Sequence, residues 1–152
     1  MTSTENILIV DDEEAIQDAC KQVLTREGYK VYIASDAQEG LRIFRKELIH
    51  VILLDLKLPG KNGMEILPAL KKMKPETPVI IITGFATIES AVEAIKLGAF
   101  DYISKPFSPA ELRVVVNKAL RSRELYTQAI RFKKGKDDTG FDMVVGNSKP
   151  ME

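Results

Sequence analysis

Val51-Ile52-Leu53-Leu54-Asp55, followed by Leu56-Lys57-Leu58-Pro59-Gly60-Lys61-Asn62-Gly63, is the stretch on which the fold turns. Four consecutive apolar residues suit a strand buried on both faces, and the Pro-Gly and Asn-Gly pairs beyond it suit turns. A carboxylate closing such a strand is costly to bury alone, so Asp55 calls for a compensating partner. Outward from this core, Ile7-Leu8-Ile9-Val10 and Pro78–Thr83 read as further buried strands, Lys30–Ala34 as a short alternating one, and Tyr102-Ile103-Ser104 as a brief one. Between them the spacing turns helical. Residues 14–27 carry Ala15, Ile16, Ala19, Cys20, Val23 and Leu24 on one stripe, with Gly28 as the stop. Ser35 is placed to cap a helix over residues 37–46 with Leu41 and Phe44 inward. A third helix is expected over 64–73, with Pro68 uneasily inside it, and a fourth over 88–97, closed by Gly98. A long helix opens at Ser108-Pro109, Ser at the cap and Pro in the first turn. Five strands alternating with five helices predict an α/β fold, a single doubly wound parallel sheet covered on both faces.

The 152 residues are 45% hydrophobic, enough for a packed core without staples. Lys+Arg and Asp+Glu both number 22, so the formal net charge is zero and nothing global draws the chain to nucleic acid or a membrane surface. Cys20 is the single cysteine; it reads as a small core residue, and a reducing, cytoplasmic setting fits. The opening MTSTENILIVDDEE turns acidic after four apolar residues, unlike a secretory signal, and no apolar run approaches a membrane span.

The last helix has no stop near Arg121. Helical spacing continues through Leu112, Val116, Ala119, Arg123, Tyr126 and Ile130, with Arg123 interrupting the seam. Ala119, Tyr126 and Ile130 are placed to pack against a second copy as coiled-coil positions do, which predicts a homodimer. The polar segment Lys133–Thr139 reads as a linker, and Asp142–Glu152 is too short to fold alone.

In open parallel sheets ligands bind beyond the carboxyl ends of the strands. There the first strand delivers Asp11-Asp12, followed by Glu13. The third delivers Asp55, the fourth Thr83, and the fifth Ser104-Lys105-Pro106. Each alone has a bland reading: an acidic pair is often a solvated turn, a threonine a cap, a lysine a surface charge. Together they describe clustered carboxylates facing an ammonium. Such carboxylates raise one another's pKa, and a hard divalent cation with oxygen ligands is the usual remedy. Mg²⁺ keeps room for a phosphate oxygen. A carboxylate nucleophile then gives an aspartyl-phosphate, with metal and lysine offsetting the phosphoryl charge. His50, the only histidine, starts a strand at the opposite rim and reads as structural.

These residues resemble the receiver domain of two-component response regulators over roughly residues 5–121. The match is carried by ILIVDDEE, VILLDLKLPGKNGMEIL, PVIIITG and GAFDYISKPF, in order and at suitable spacing. The resemblance implies strand order 2-1-3-4-5 and Asp55 as phosphoacceptor. It implies Mg²⁺ or Mn²⁺ held by Asp12, Asp55 and the backbone carbonyl of Lys57, with Asp11 acting through water. It makes Thr83 the switch hydroxyl, Tyr102 the switch aromatic and Lys105 the phosphoryl-contacting lysine, with a cis bond at Lys105-Pro106. Gly84 keeps the neighbourhood of Thr83 uncrowded. Phe85 and Lys57, two residues beyond Thr83 and Asp55, are placed to tune the lifetime of the phosphorylated form. Asn62-Gly63 stands where many relatives have Asp-Gly, and both suit a turn.

ESAVEAIKLGAFDYISKPFSPAEL is similar to receivers of the nitrogen-regulatory type, which activate transcription with the alternative sigma factor 54. MVVGNSKPM, with Gly146, Ser148 and Met151, is similar to the opening of the AAA+ domain that follows such receivers. The expected organisation is a receiver domain over 1–121, a linker over 122–142 and the first residues of an AAA+ domain over 143–152, a piece of a longer activator. The resemblance implies a sensor histidine kinase as partner, with ATPase activity, DNA binding and sigma-54 RNA polymerase contacts outside this chain. A flavin module of similar layout is disfavoured because Asp11-Asp12-Glu13 would repel its phosphate. An aspartyl phosphatase is disfavoured because Lys57 stands where an acid/base Asp is required. A degenerate, binding-only receiver is disfavoured because the full residue set is present.

Overall fold

The computed structural model describes residues 4–138, with side chains to Phe132. Its elements run β1 (Asn6–Val10), α1 (Glu14–Arg26), β2 (Lys30–Ala34), α2 (Ala37–Lys46), β3 (Val51–Asp55), β4 (Lys57–Leu58), β5 (Lys61–Asn62), α3 (Gly63–Met73), β6 (Val79–Thr83), α4 (Ile88–Lys96), β7 (Asp101–Ser104) and α5 (Pro109–Asp138). The main sheet is parallel, in the order β2-β1-β3-β6-β7. This is the expected 2-1-3-4-5 arrangement once β4 and β5 are set aside. Those two form a small antiparallel hairpin where the sequence showed only turns, pairing Lys57 with Asn62 and Leu58 with Lys61.

Period-two alternation sends successive strand residues to opposite layers. Ile7, Ile9, Val51, Leu53, Ile80 and Ile82 pack with Cys20 and Leu24 of α1 and Leu112, Val116 and Ala119 of α5. Leu8, Val10, Ile52, Leu54, Val79 and Ile81 pack with Phe44 of α2, Ile66, Leu67 and Leu70 of α3, and Ala94 of α4. Every residue of β3 and β6 is buried, which explains why both are apolar up to their last residues, Asp55 and Thr83.

Several local expectations change. In α1 the buried line is Cys20 and Leu24, with Ile16 and Val23 packed beside them, while Ala15 and Ala19 face outward. The cap of α2 is Asp36, whose side chain accepts from the Glu39 N–H; the Ser35 hydroxyl instead bonds the Gln17 amide. Pro68 lies inside α3, where its missing N–H removes one bond from the helix ladder. Gly28 and Gly98 take positive φ of 92° and 108° just past α1 and α4, the conformation that ends a helix at glycine. At α5, Ser108 accepts from the Glu111 N–H while Glu111 accepts from the Ser108 N–H, a reciprocal capping box.

α5 is longer than its polar segment suggested, running helical to Asp138. Once a helix is nucleated, lysines extend it readily and a lone glycine costs only about 1 kcal/mol. Ala119 is fully buried in its own domain and is unavailable to a second copy. Beyond it Leu125, Tyr126 and Ile130 are exposed. No helix among the described residues is long and apolar enough to cross a membrane. The segment assigned to an AAA+ opening, 143–152, lies outside the described residues.

Candidate functional site

β1 hands over to Asp11 and Asp12, β3 ends in Asp55, and β7 is followed by Lys105, so the parallel sheet carries all four to one edge. The Asp11 N–H donates to the Ala34 carbonyl at 3.0 Å, extending the β1–β2 ladder to the first carboxylate. Asp11 and Asp55 are buried and Asp12 is exposed, and one carboxylate oxygen from each lies within 4.8 Å of the others.

Lys105 answers this charge. Its Nζ is 2.9 Å from Asp11 Oδ2 and 3.0 Å from Asp55 Oδ2, and it also pairs with Glu13 Oε1. The Lys105 N–H donates to the Thr83 carbonyl at 2.8 Å, which fixes the base of the side chain against β6. The remaining oxygens of the buried carboxylates accept backbone amides: Asp55 Oδ1 from Lys57 at 3.1 Å and Asp11 Oδ1 from Glu13 at 2.8 Å. Asp11 Oδ2 faces the ammonium closely but has no aligned hydrogen bond. A buried carboxylate oxygen left in that state, within reach of two more carboxylates, fits a hard divalent cation.

Burial pushes the Asp11 carboxyl above the usual carboxylate range and the Asp55 charge adds to it, against the Glu13 amide and Lys105. Burial by itself would lower the Lys105 ammonium, but Glu13, Asp11 and Asp55 together outweigh it and hold the group above its ordinary value. Lys105 is therefore a fixed positive charge at any physiological pH.

A cavity of about 520 Å³ opens over these groups, lined by Asp12, Glu13, Asp55, Lys57, Phe85 and Lys105 among others. The Lys57 ammonium sits 4.6 Å from the centroid of the Phe85 ring, a cation–π contact at the cavity wall. Thr83 is fully buried, and its hydroxyl accepts from the Phe85 N–H at 3.1 Å. Gly84 also lines the cavity, and a Cβ there would meet nothing within 4 Å beyond its own chain neighbours. Tyr102 stands apart: its ring packs on the α2–α4 side of the core and its hydroxyl lies 2.5 Å from Ser90 Oγ in α4. The Lys105-Pro106 peptide bond is cis.

His50 sits at the opposite end of β3, where its Nδ1 accepts from the Asn6 N–H at 3.0 Å. Burial and the nearby Arg123 hold its imidazole below the ordinary histidine value. It contributes to strand pairing, not to the carboxylate cluster. Cys20 is buried, and burial pushes its thiol up to about 12.

Three residues near the site carry little signal in the sequence. In the sequence Glu13 only follows the acidic pair, but in the fold it closes the ring around Lys105. Gly63 reads in the sequence as a turn residue. A Cβ on it would stand 2.5 Å from the Asp55 carbonyl oxygen and 2.9 Å from Leu56 Cα, so the start of α3 presses on the peptide that carries Asp55. Ser90 had no sequence signal, because its meaning depends on reaching across from α4 to β7.

Residues 7–117 match the response regulator receiver domain family. The chain is 39% identical over 145 residues to a putative NtrX-like response regulator of Rickettsia bellii, covering 94% of this chain and 30% of that protein. It thus spans less than a third of that relative's length. Among solved structures, a CheY-like receiver domain protein of Methanospirillum hungatei superposes with a TM-score of 0.78 at 40% identity, covering 82% of this chain and 99% of that one. The beryllofluoride-activated NtrC4 receiver domain dimer gives a TM-score of 0.75 at 32% identity, covering 78% of this chain and 98% of that one. With the sheet order, the three clustered aspartates and the clamped lysine in place, these matches establish that the chain belongs to the response regulator receiver domain family.

Proposed function

We propose that this chain is a phosphorylation switch in which Asp55 accepts a phosphoryl group from a phosphohistidine on a sensor histidine kinase. The observation that carries this reading is the Lys105 ammonium held against Asp55 and Asp11 at the mouth of an open cavity. Asp55 Oδ2 forms the new P–O bond as the P–N bond of the phosphoimidazole breaks, and the electron pair returns to the leaving nitrogen. The Lys57 N–H keeps hold of Oδ1 and orients the carboxylate for attack. Lys105 exchanges its contacts with Asp11 and Glu13 for the phosphoryl oxygens, where its fixed charge offsets the charge developing there. Asp12, Asp55 and the backbone carbonyl of Lys57, with Asp11 through water, would hold Mg²⁺ or Mn²⁺, which when bound neutralises phosphoryl charge. The Thr83 hydroxyl leaves the Phe85 amide for a phosphoryl oxygen, and Tyr102 turns inward behind it. Two packings of one fold thus exchange population.

The output follows from what is exposed. Leu125, Tyr126 and Ile130 on the outward part of α5 support self-association of two copies, and the NtrC4 receiver structure is a dimer. In a longer protein of the NtrX type, this switch would control AAA+ and DNA-binding domains acting on sigma-54 RNA polymerase in the cytoplasm. The test is incubation with a small phosphodonor, with and without Mg²⁺, followed by intact mass. A gain of one phosphoryl mass that requires the metal supports the reading. No gain at any donor concentration overturns it.

A further inference from the structure

We propose that Ser90 is a positioning residue for the switch, a latch that holds Tyr102 in its resting place and couples it to the first turn of α4. The inference rests on the reading of Tyr102 as the moving aromatic. Four polar atoms surround Ser90 Oγ: the Thr87 N at 3.2 Å, Thr87 Oγ1 at 3.0 Å, the Thr87 carbonyl oxygen at 3.1 Å and the Tyr102 hydroxyl at 2.5 Å. A serine hydroxyl has one proton to give and two lone pairs to offer. Assigning the proton to the Thr87 carbonyl and one lone pair to the Thr87 N–H makes the Tyr102 hydroxyl the donor to Ser90 Oγ. That leaves a single acceptor position for two hydroxyl donors, Tyr102 and Thr87.

The two donors therefore compete. In the resting arrangement Tyr102 is the nearer. Thr87 caps α4 meanwhile, its Oγ1 accepting the Ser90 N–H at 3.0 Å. When Tyr102 leaves, the Thr87 hydroxyl proton takes the vacated lone pair without moving its own oxygen. Ser90 is never left unsatisfied, so the latch opens at the cost of one phenol bond and not of a broken helix cap. A bistable element of this kind responds to a small bias. It also places the signal at the start of α4, beside exposed Ile88.

The experiment is titration of the whole chain with beryllium fluoride and Mg²⁺, followed by NMR of the aromatic ring at position 102, in the parent, Ser90→Ala, Tyr102→Phe and the double variant. Apparent affinity for the phosphoryl mimic scales with the fraction of protein already in the competent state. Each single variant should bind it tighter by roughly two- to tenfold, the size of one lost net hydrogen bond. The double variant should gain no more than either single one, and Ser90→Thr should return to the parent value. Tyr102→Phe leaves the helix cap intact, so it tests the latch even if Ser90→Ala unfolds. A Ser90→Ala effect that persists in full on the Tyr102→Phe background would be a capping effect and would overturn the latch. So would unchanged or weaker binding in the single variants. A parent protein that does not bind the mimic at all defeats the phosphoacceptor reading itself. A parent that binds it with no change at the tyrosine ring defeats the role of Tyr102 and the latch with it.

Discussion

Replacing Lys105 by Met tests the electrostatics of the site without touching a carboxylate. Its side chain is only 11% exposed and, among the described residues, it is the one cation paired with Asp11 and Asp55, whose side chains are 0% and 5% exposed. Removing it leaves two buried carboxylates within a few ångströms of each other with no counter-charge paired to them among the described residues. Breaking a buried pair by deleting one partner costs about 3–5 kcal/mol. For a domain of this size that lowers the melting temperature by about 10–18 °C. The pH dependence has a defined sign. In the parent, the ammonium is held above its ordinary value, so its stabilisation is complete below the ordinary lysine range and is lost only as pH rises through the folded value. Across neutral and mildly acidic pH the parent's Lys105 contribution is constant. In the variant the Asp11 carboxyl, already raised by burial, rises further once the lysine is gone. The fold then favours protonated Asp11. The deficit is largest above the folded value and shrinks as pH falls through it. Urea denaturation in the presence of a chelator, at neutral and at mildly acidic pH, measures both quantities, and added Mg²⁺ should restore more stability to the variant than to the parent. A variant as stable as the parent at neutral pH, or a deficit indifferent to both pH and metal, would refute the reasoning.

Gly63→Ala should destabilise the domain by about 1–3 kcal/mol, because the new methyl meets main-chain atoms of Asp55 and Leu56 that have no rotamer to escape into; chemical denaturation reads the loss, and phosphorylation should slow with it. Phe85→Ala should shorten the lifetime of the phosphorylated form several-fold by removing the ring that stacks on Lys57 at the cavity wall, as followed by the decay of intact phosphorylated mass; an equal or longer lifetime counts against it. Removing residues 122–152 should weaken self-association in sedimentation velocity, since it deletes Leu125, Tyr126 and Ile130 while sparing the core residues Leu112, Val116 and Ala119. Unchanged dimerisation would end the role assigned to the outward part of α5.

What could be read from the chain follows from how local each signal is. Buried parallel strands must be apolar throughout, so Val51–Leu54 and Val79–Ile82 announced themselves, and the carboxylates ending the first and third strands stood out against them. The meeting of Asp11, Asp55 and Lys105 follows from a doubly wound sheet, which brings the carboxyl ends of its strands to one edge. Signals that depend on a neighbour far along the chain were silent. Glu13 finds Lys105 across 92 positions, and Ser90 finds Tyr102 only when α4 lies on β7. Ala119 has the spacing of an outer seam, but the helix rotates it into the core. Ser35 and Asp36 are both good caps; the helix starts after Asp36, while the Ser35 hydroxyl is taken up by the Gln17 amide of α1.

The most direct measurement is localisation of the phosphoryl group. The chain is treated with a small phosphodonor and Mg²⁺, reduced with borohydride to trap the acyl phosphate, and its fragments are sequenced by mass spectrometry. The modification should map to Asp55 alone and vanish in Asp55→Asn. A phosphoryl group on any other residue of the parent protein, or one retained by Asp55→Asn at the parent's level, would contradict the assignment.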